Sequence, residues 1–201
     1  MICVVLGMHK SGTTMIAQIL EHSGISMGVD SRKLDYDSGQ QYERLSTQEL
    51  NMRMLGCNQK TFSLNVFRPL KLNTIKKSLI NEVGELVSKL SSSKMENWGF
   101  KDPRTCLAWG VWGNQIPDCK LIGIWRDPRE VLKHYVPSRP FYKQSPSRIF
   151  RAYKALRAWY FHNDCIVKAI EKHEESLLFN YASFMKNRNS IDKLQAFLGL
   201  E

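Results

Sequence analysis

The sequence has few cysteines, and their arrangement suggests neither a cross-link nor a metal site. The five cysteines are spread through 201 residues without a C-x-x-C pair, at Cys3, Cys57, Cys106, Cys119 and Cys165. An odd, scattered set argues against a disulfide framework and against a zinc site. A chain of this length can bury about 70% of its extended surface, so it needs neither. We therefore expect reduced thiols.

Long hydrophobic runs are also missing. No apolar stretch approaches the roughly 18 residues of a membrane-spanning helix, and the opening ICVVLG lacks the basic region and cleavage site of a signal peptide. With only 12 glycines and 7 prolines, collagen-like and low-complexity chains are excluded. These features predict a soluble, cytoplasmic protein with one domain over residues 1–201 and no membrane insertion.

Acidic residues are scarce relative to basic ones. The chain has 19 Asp and Glu against 29 Lys and Arg, a formal net charge of +10. Such a balance attracts polyanions at long range without identifying them. Composition alone leaves a nucleotide, a nucleic acid and an anionic membrane surface open as partners.

Four short apolar runs predict strands that are buried on both faces. They are Ile2 to Leu6, Trp98 to Lys101, Cys119 to Trp125 and Leu177 to Tyr181. Between them, apolar residues recur at helical spacing. The alternation predicts an α/β, doubly wound three-layer sandwich with a mostly parallel sheet of four to five strands. Ligands of such sheets bind beyond the carboxyl ends of the strands.

Two helix starts can be predicted from capping residues. Ser46 with Glu49 three residues later has the pattern of a capping box. Asp127, Pro128 and Glu130 supply an N-cap, a first-turn proline and a glutamate directly after the third strand. The polar stretch that precedes Ser46 is long for a turn, and we mark a possible acceptor-side lid or insertion around residues 28–73.

The most specific motif is GMHKSGTT, from Gly7 to Thr14, between the first strand and a helix. Glycines there let the backbone curl so that its amides and the helix N-terminus face an anion. Compared with the Walker pattern, both glycines are present, but Thr13 stands in place of the lysine, which has moved to Lys10. A Walker B aspartate is also missing, because the strand in LIGIWRD is followed by arginine first, which counts against ATP or GTP hydrolysis.

K-S-G-T-T after a first strand resembles the 5′-phosphosulfate loop of the sulfotransferases, which use 3′-phosphoadenosine-5′-phosphosulfate (PAPS). IWRDPREVLKHY resembles their 3′-phosphate segment, and WGFKDPR resembles the K-D-P-R segment of bacterial and carbohydrate-type members. Trp159 with Asn163, LLFNY and FLGL resemble the long helix and the closing strand and helix. The resemblance spans nearly the whole chain and implies a P-loop NTPase-like fold.

The resemblance implies a donor site. The 5′-phosphate would be held by the loop, with Lys10 also near the oxygen that bridges to sulfur, and Arg126 would bind the 3′-phosphate. The loop residues in question are Gly7, His9, Lys10, Ser11, Gly12, Thr13 and Thr14. PAPS would be the donor substrate and 3′,5′-adenosine bisphosphate (PAP) the product.

Two departures from the family pattern stand out. The serine expected eight residues after Arg126 is replaced by His134, and Ser138 could take its place only if the helix ends early. The basic R-K-G loop near the C-terminus has no counterpart, so either other basic residues do its work or the sequence is truncated. Candidates in SRPFYKQSPSR are Arg139, Lys143 and Arg148, unless they form a solvated loop.

The general base is open between two carboxylates. Glu43 lies where similar family members carry an early acidic residue, and Asp102 follows a strand end, although Asp before Pro is also a common turn former. Lys101 and Arg104 could orient the acceptor or screen the donor.

We expect a small-molecule or carbohydrate acceptor with a hydroxyl or amine, direct in-line transfer, no metal and no nucleic acid. Sulfuryl carries less negative charge than phosphoryl, so a metal is not demanded. Aromatic residues could line an acceptor pocket, at Phe62, Phe67, Phe141 and Tyr142. The alternatives are a divergent P-loop nucleotide kinase, which would need magnesium, and a non-catalytic nucleic-acid-binding module.

Overall fold

Four apolar segments form one sheet in the computed structural model. They are β1 (Ile2–Leu6), β2 (Trp98–Lys101), β3 (Lys120–Trp125) and β4 (Ser176–Asn180). The strands pair in the order β2-β1-β3-β4, and every pair is parallel. The four strand predictions are therefore confirmed to within one residue at each end.

The structure describes residues 1–28, 42–57, 69–93, 96–136 and 146–199. Helices connect the strands throughout these ranges: α1 (Thr13–His22), α2 (Leu45–Leu55), a 3₁₀ turn (Leu72–Thr74), α3 (Lys77–Ser91), α4 (Thr105–Gln115), α5 (Pro128–Tyr135), α6 (Pro146–Lys172), α7 (Tyr181–Lys186) and α8 (Asn189–Leu198). Of the possible lid over 28–73, residues 29–41 and 58–68 lie outside the described part, and α2 occupies much of the rest.

Alternate side chains of β1 enter two separate cores. Val4 and Leu6 pack in a cluster with residues of α2, α3, α4 and α6, whereas Cys3 and Val5 pack with residues of α1, α7 and α8. Helices thus cover both faces of the sheet, as expected for strands apolar on both sides. The predicted doubly wound three-layer architecture is confirmed, with four strands.

The cysteines are free thiols, as predicted. Two of them lie in the sheet region, and burial raises the pKa of Cys3 and of Cys119 to about 12. Both thiols therefore stay protonated at neutral pH and act as small apolar groups in the core.

The two predicted helix starts have different outcomes. Asp127 caps α5 by accepting a hydrogen bond of 2.8 Å from the Arg129 amide, as predicted. The capping box at Ser46 is wrong: α2 begins at Leu45 with Arg44 as its N-cap residue and no side-chain cap. The Arg44 guanidinium instead donates to the carbonyl oxygens of Gly99 and Ser26, at 2.8 and 2.6 Å.

Strand order creates a crevice between β1 and β3. The chain leaves β1 toward β2 on one side, and it leaves β3 toward β4 on the other. Neighbouring strands whose connections run in opposite directions open a gap beyond their carboxyl ends, where α/β sheets bind ligands. The loops after Leu6 and Trp125 flank this gap, so the fold brings together the two segments that the sequence singled out.

Candidate active site

The loop between β1 and α1 has a tightly curled backbone. Lys10 and Gly12 both adopt left-handed conformations, with φ of 66° and 98°, and the Ser11 amide donates to the Met8 carbonyl at 3.2 Å. A side chain at Gly7 would collide with Thr13 and with the Ile124 carbonyl of β3. The left-handed conformations of Lys10 and Gly12 produce this curl. The loop then leads directly into the first turn of α1, where backbone amides lack intrahelical partners.

Ser11 has a buried hydroxyl that the protein leaves unsatisfied. The residue is fully buried, and among the described residues its Oγ finds no hydrogen-bond partner. A buried polar atom in that state costs free energy unless a ligand or water completes it. Together with the curled loop and the N-terminus of α1, this hydroxyl fits the oxygens of a bound phosphate or sulfate ester.

Arg126 reaches from the end of β3 to the same loop. Its Nη1 donates to the Lys10 carbonyl at 3.2 Å, and its guanidinium carbon lies 4.5 Å from the centre of the Tyr181 ring. The indole nitrogen of Trp159 donates to the Arg126 carbonyl at 2.8 Å and so fixes the backbone at the base of this side chain. The Nε atom of Arg126 is buried and has no hydrogen-bond partner within the described ranges. The guanidinium thus keeps donor capacity for an anion beside the loop.

A buried ion pair lies at the carboxyl end of β2. The Lys101 ammonium donates to Glu43 Oε1 at 2.8 Å and to Thr14 Oγ1 at 3.3 Å, and the two charged side chains are 3% and 10% exposed. Gln48 Nε2 donates to the other carboxylate oxygen of Glu43 at 2.8 Å. Burial raises the pKa of Glu43, and Lys101 opposes the shift. Glu43 is therefore a carboxylate of increased basicity, linked through Lys101 to the start of α1.

Asp102 lies in a buried polar network. Its carboxylate accepts hydrogen bonds from the Arg104 amide and guanidinium, at 3.0 and 2.9 Å, and from Asn51 Nδ2 at 3.1 Å. Asn51 also donates to the Thr105 hydroxyl and accepts from the indole of Trp112. Because Asp102 is fully buried and held from several sides, the geometry favours Glu43 over Asp102 as the group that meets an acceptor.

Two histidines lie near these charges. Burial and the surrounding cations, Arg104 first among them, hold the pKa of His9 well below its usual value. Burial likewise lowers the pKa of His162 to about 4. Both imidazoles are therefore neutral at neutral pH, and His9 would meet an anion as a neutral hydrogen-bonding group.

The fold gathers most of the sequence-predicted residues at the carboxyl ends of three strands: Gly7 to Thr14 after β1, Lys101 as the last residue of β2 with Asp102 and Arg104 after it, and Arg126 after β3. Glu43 joins them through Lys101. His134 instead lies exposed in the last turn of α5, which ends at Tyr135, ahead of Ser138. Arg148 lies near the start of α6.

The remaining candidates lie outside the described residues. They are Ser138, Arg139 and Lys143 among the basic and polar ones, and Phe62, Phe67, Phe141 and Tyr142 among the aromatic ones.

Three residues of the site escaped the sequence reasoning. Asn51 and Gln48 lie on α2, and Tyr181 begins α7, where its ring lies against Gly12. Asn51 could have been noticed as an amide on the apolar side of a helix, next to Leu50. Tyr181 follows a strand end, which is where such folds place ligand contacts.

A family model described as the sulfotransferase family matches residues 3–201. The chain belongs to the sulfotransferase family. No curated protein matches it. The loop of Lys10 and the Arg126 segment, identified by resemblance, thus lie within the part of this sulfotransferase that the family model covers.

Solved sulfotransferase structures share the fold. The sulfotransferase domain from the curacin biosynthetic pathway is 14% identical, with a TM-score of 0.59 over 99% of this chain and 74% of that one. Sulfotransferase STF9 from Mycobacterium avium is 15% identical, with a TM-score of 0.60 over 99% and 64%. STF1 from Mycobacterium tuberculosis H37Rv is 13% identical, with a TM-score of 0.51 over 99% and 67%. The chain therefore spans about two thirds to three quarters of their lengths, and at these identities the likeness concerns the fold.

The described ranges contain neither a cluster of metal ligands nor a membrane span. No group of three or more His, Cys, Asp or Glu side chains there could hold a metal ion. None of the helices in those ranges is long and apolar enough to cross a bilayer.

Proposed function

We propose that this sulfotransferase moves the sulfuryl group of PAPS to a hydroxyl or amine of a small-molecule or carbohydrate acceptor, by direct in-line transfer. Family membership supports sulfotransferase activity in general. The observation that carries the choice of donor is the loop itself, where a buried, unsatisfied Ser11 hydroxyl lies between two left-handed residues at the start of α1.

The donor's two phosphates would have separate partners. The 5′-phosphosulfate would lie against Lys10, Ser11, Gly12, Thr13 and Thr14, where amides and the helix N-terminus favour an anion. The 3′-phosphate would lie on Arg126, whose planar guanidinium suits bidentate contact with phosphate oxygens. The hydrogen bond from Arg126 to the Lys10 carbonyl supports this division, because it keeps both anchors at fixed separation.

Transfer would need one base and one cation. The acceptor oxygen or nitrogen attacks sulfur, the bond from sulfur to the bridging phosphate oxygen breaks, and the proton leaves the acceptor. Glu43 would take that proton, because Lys101 and Gln48 each occupy one of its oxygens yet leave a further lone pair on both. The Lys10 ammonium would stabilise the charge that grows on the leaving phosphate.

The proposal includes no metal and no nucleic acid as partner. A kinase would need magnesium held near the β- and γ-phosphates. A chelator should therefore stop transfer by a kinase, whereas transfer by a metal-independent sulfotransferase should continue. A nucleic-acid module would bind long oligonucleotides with a steep salt dependence, unlike a pocket for one nucleotide.

A thermal-shift panel with PAP, AMP, ATP and an oligonucleotide tests the donor site. We expect PAP to raise Tm more than AMP at equal concentration, since binding to the native state appears directly as stabilisation. Transfer from sulfur-labelled PAPS, with and without a chelator, then tests the reaction on a set of phenols, amines and sugars. Equal shifts with PAP and AMP, or transfer from ATP but not from PAPS, would reject the proposal.

A further inference from the structure

The outer side of α6 carries a line of exposed apolar side chains, which we call the α6 seam. Its members are Ile149, Tyr153, Leu156, Tyr160 and Val167, exposed by 65, 53, 42, 58 and 41%. They follow one another at steps of four, three, four and seven residues, and Asn163 occupies the place that divides the last step into three and four. The seam extends over about 27 Å of helix.

The inner side of the same helix packs into the protein core. It presents a different set of buried residues, Ala155, Ala158, His162, Ile166 and Ala169. These contribute to packing against α4, α5 and β3. The seam lies on a different side of the helix, because residues such as Leu156 and Tyr160 are rotated about the helix axis relative to Ala155 and Ala158.

The spacing of the seam has a specific structural meaning. Apolar residues that alternate at three and four residues form the contact line of a coiled coil, in which a second helix supplies the matching line. In the other helices that the structure describes, exposed apolar residues such as Met185 on α7 and Ile191 on α8 do not form a comparable line along one helix. Single exposed apolar residues need no explanation, whereas a contiguous apolar patch indicates an interaction site.

The charges along α6 differ between its two halves. The charged residues of its first half are all basic, and of these Arg157, directly after Leu156, flanks the seam; the others are Arg148, Arg151 and Lys154. The second half has charges of both signs: the acidic residues Asp164 and Glu171 alternate with Lys168 and Lys172, and Glu174 and Glu175 follow just beyond the helix. Two parallel copies would place the basic halves against each other, whereas two antiparallel copies place each basic half against the half that contains Asp164 and Glu171.

We propose that two copies of this chain associate through the α6 seam as an antiparallel, two-fold symmetric pair, with Arg157 of each copy beside Asp164 of the other. Both residues flank the seam on the same side and are one heptad apart, directly after Leu156 and after Asn163. In an antiparallel pair these equivalent flanking positions face each other. A two-fold axis near residues 160 and 161 makes the patch self-complementary, as a closed dimer requires.

The local contacts are compatible with this pairing. Asp164 accepts a hydrogen bond of 2.7 Å from Lys168 of its own helix and retains lone pairs for a second donor. The Arg157 guanidinium donates to the Tyr153 hydroxyl at 3.3 Å and lies over the rings of Tyr153 and Phe161, on the seam side. It is thus already held next to the contact line.

Charge reversal tests both the partner and its direction. Sedimentation velocity and light scattering across a concentration series should give twice 23.3 kDa for the wild type. Arg157→Asp alone and Asp164→Arg alone should each weaken association by about tenfold or more, since symmetry repeats every change twice. The double variant should return to within a few-fold of the wild type.

Two substitutions to Asp separate the seam from the rest of the surface. Leu156→Asp should give a monomer, whereas Met185→Asp, on a residue 59% exposed on α7, should leave association unchanged. Circular dichroism verifies that each variant is folded, and if Leu156→Asp fails to fold, the charge-reversal set decides alone. A wild type that stays monomeric at about 100 µM, or a double variant as weak as the singles, overturns the proposal. Binding of the monomer to phosphatidylserine vesicles would also overturn the proposal, because the basic, aromatic first half of α6 would then face lipid.

Discussion

Arg126 donates a hydrogen bond of 3.2 Å to the carbonyl oxygen of Lys10, 116 residues earlier in the chain. The bond spans the crevice between the ends of β1 and β3. It means that the cation that we propose for the ribose phosphate also shapes the loop that we propose for the inner phosphate. Substitutions at the two positions should therefore not be additive in their effect on nucleotide binding.

Replacing Lys10 should abolish transfer while the fold persists. Both Lys10→Ala and Lys10→Asn remove the ammonium, and we expect kcat to fall by about 10²–10³-fold for each, as for the loss of a group that stabilises the leaving oxygen. Asn tolerates the left-handed conformation at φ 66° better than Ala, so only Lys10→Ala should also lower Tm noticeably. Initial rates and thermal unfolding measure both. A rate within a few-fold of the wild type for Lys10→Asn would remove the lysine from the chemistry.

Replacing Arg126 should erase the preference for a 3′-phosphorylated nucleotide. We expect Arg126→Ala to lower the ratio of PAP to AMP affinity by about 10–100-fold, the value of a charge-assisted contact. Arg129→Ala is the matched control, because that side chain is 85% exposed and pairs with Asp127 instead. Calorimetric titration with the two nucleotides gives the ratio. An unchanged ratio in Arg126→Ala would show that another group reads the ribose phosphate.

Replacing Glu43 should reduce turnover more than donor affinity. Glu43→Gln keeps the size of the side chain but removes the base, and we expect kcat to fall by about 10²–10⁴-fold while the Kd for PAP changes little. Glu49→Gln, an exposed glutamate of α2, is the control. Normal turnover in Glu43→Gln would assign the base to another residue.

The raised pKa of Glu43 also predicts how the activity depends on pH. Burial raises the pKa of Glu43, so the base form should appear above the usual glutamate range, and kcat/KM should rise with pH through a limb that Glu43→Gln lacks. The contribution of Glu43 to the free energy of unfolding should change with pH in the opposite direction to kcat/KM. A carboxylate with a raised native pKa binds its proton more tightly when folded, so its contribution declines as pH rises from its ordinary pKa through the raised native one. Urea titrations of wild type and Glu43→Gln over this pH range should converge at the acidic end.

Removing the charge of Asp102 should destabilise the fold. Asp102→Asn would leave the buried Arg104 guanidinium without its carboxylate, and breaking one side of such a pair costs about 3–5 kcal/mol. Asp192→Asn, on an exposed residue of α8, should change the free energy of unfolding little. Urea denaturation of both variants measures the difference. Equal stability of the two variants would mean that the network around Asn51 reorganises without cost.

The sequence predicted the sheet well because the relevant signals are local. Runs such as Ile2 to Leu6 are apolar without alternation, and this pattern is typical of a strand covered on both faces. The start of α5 at Asp127-Pro128 was equally clear, since a cap and a first-turn proline act within one helical turn. The strands alone were enough to place the Lys10 loop and Arg126 at the same edge of the sheet.

The errors arise where distant residues decide the local structure. Ser46 does not cap α2, because Arg44 is held by Gly99 and Ser26 and the helix begins two residues earlier than the capping box predicts. Tyr181 was assigned to a strand, but the Asn180 side chain accepts from the Ser183 amide and starts α7 there. The bond between Asn51 and Asp102 joins residues 51 positions apart, and no local pattern predicts such a pairing.

The ring of Tyr181 lies beside Gly12 and beneath Arg126, so the loop after β1 packs against a segment that is synthesised much later than the loop itself. During translation the Lys10 loop leaves the ribosome before Tyr181 does, and it cannot acquire its final packing until β4 has docked beside β3 and positioned this tyrosine. A nascent or proteolysed chain that ends before residue 181 therefore lacks one wall of the crevice. Such a fragment should neither bind nucleotide prematurely nor compete for it with finished molecules.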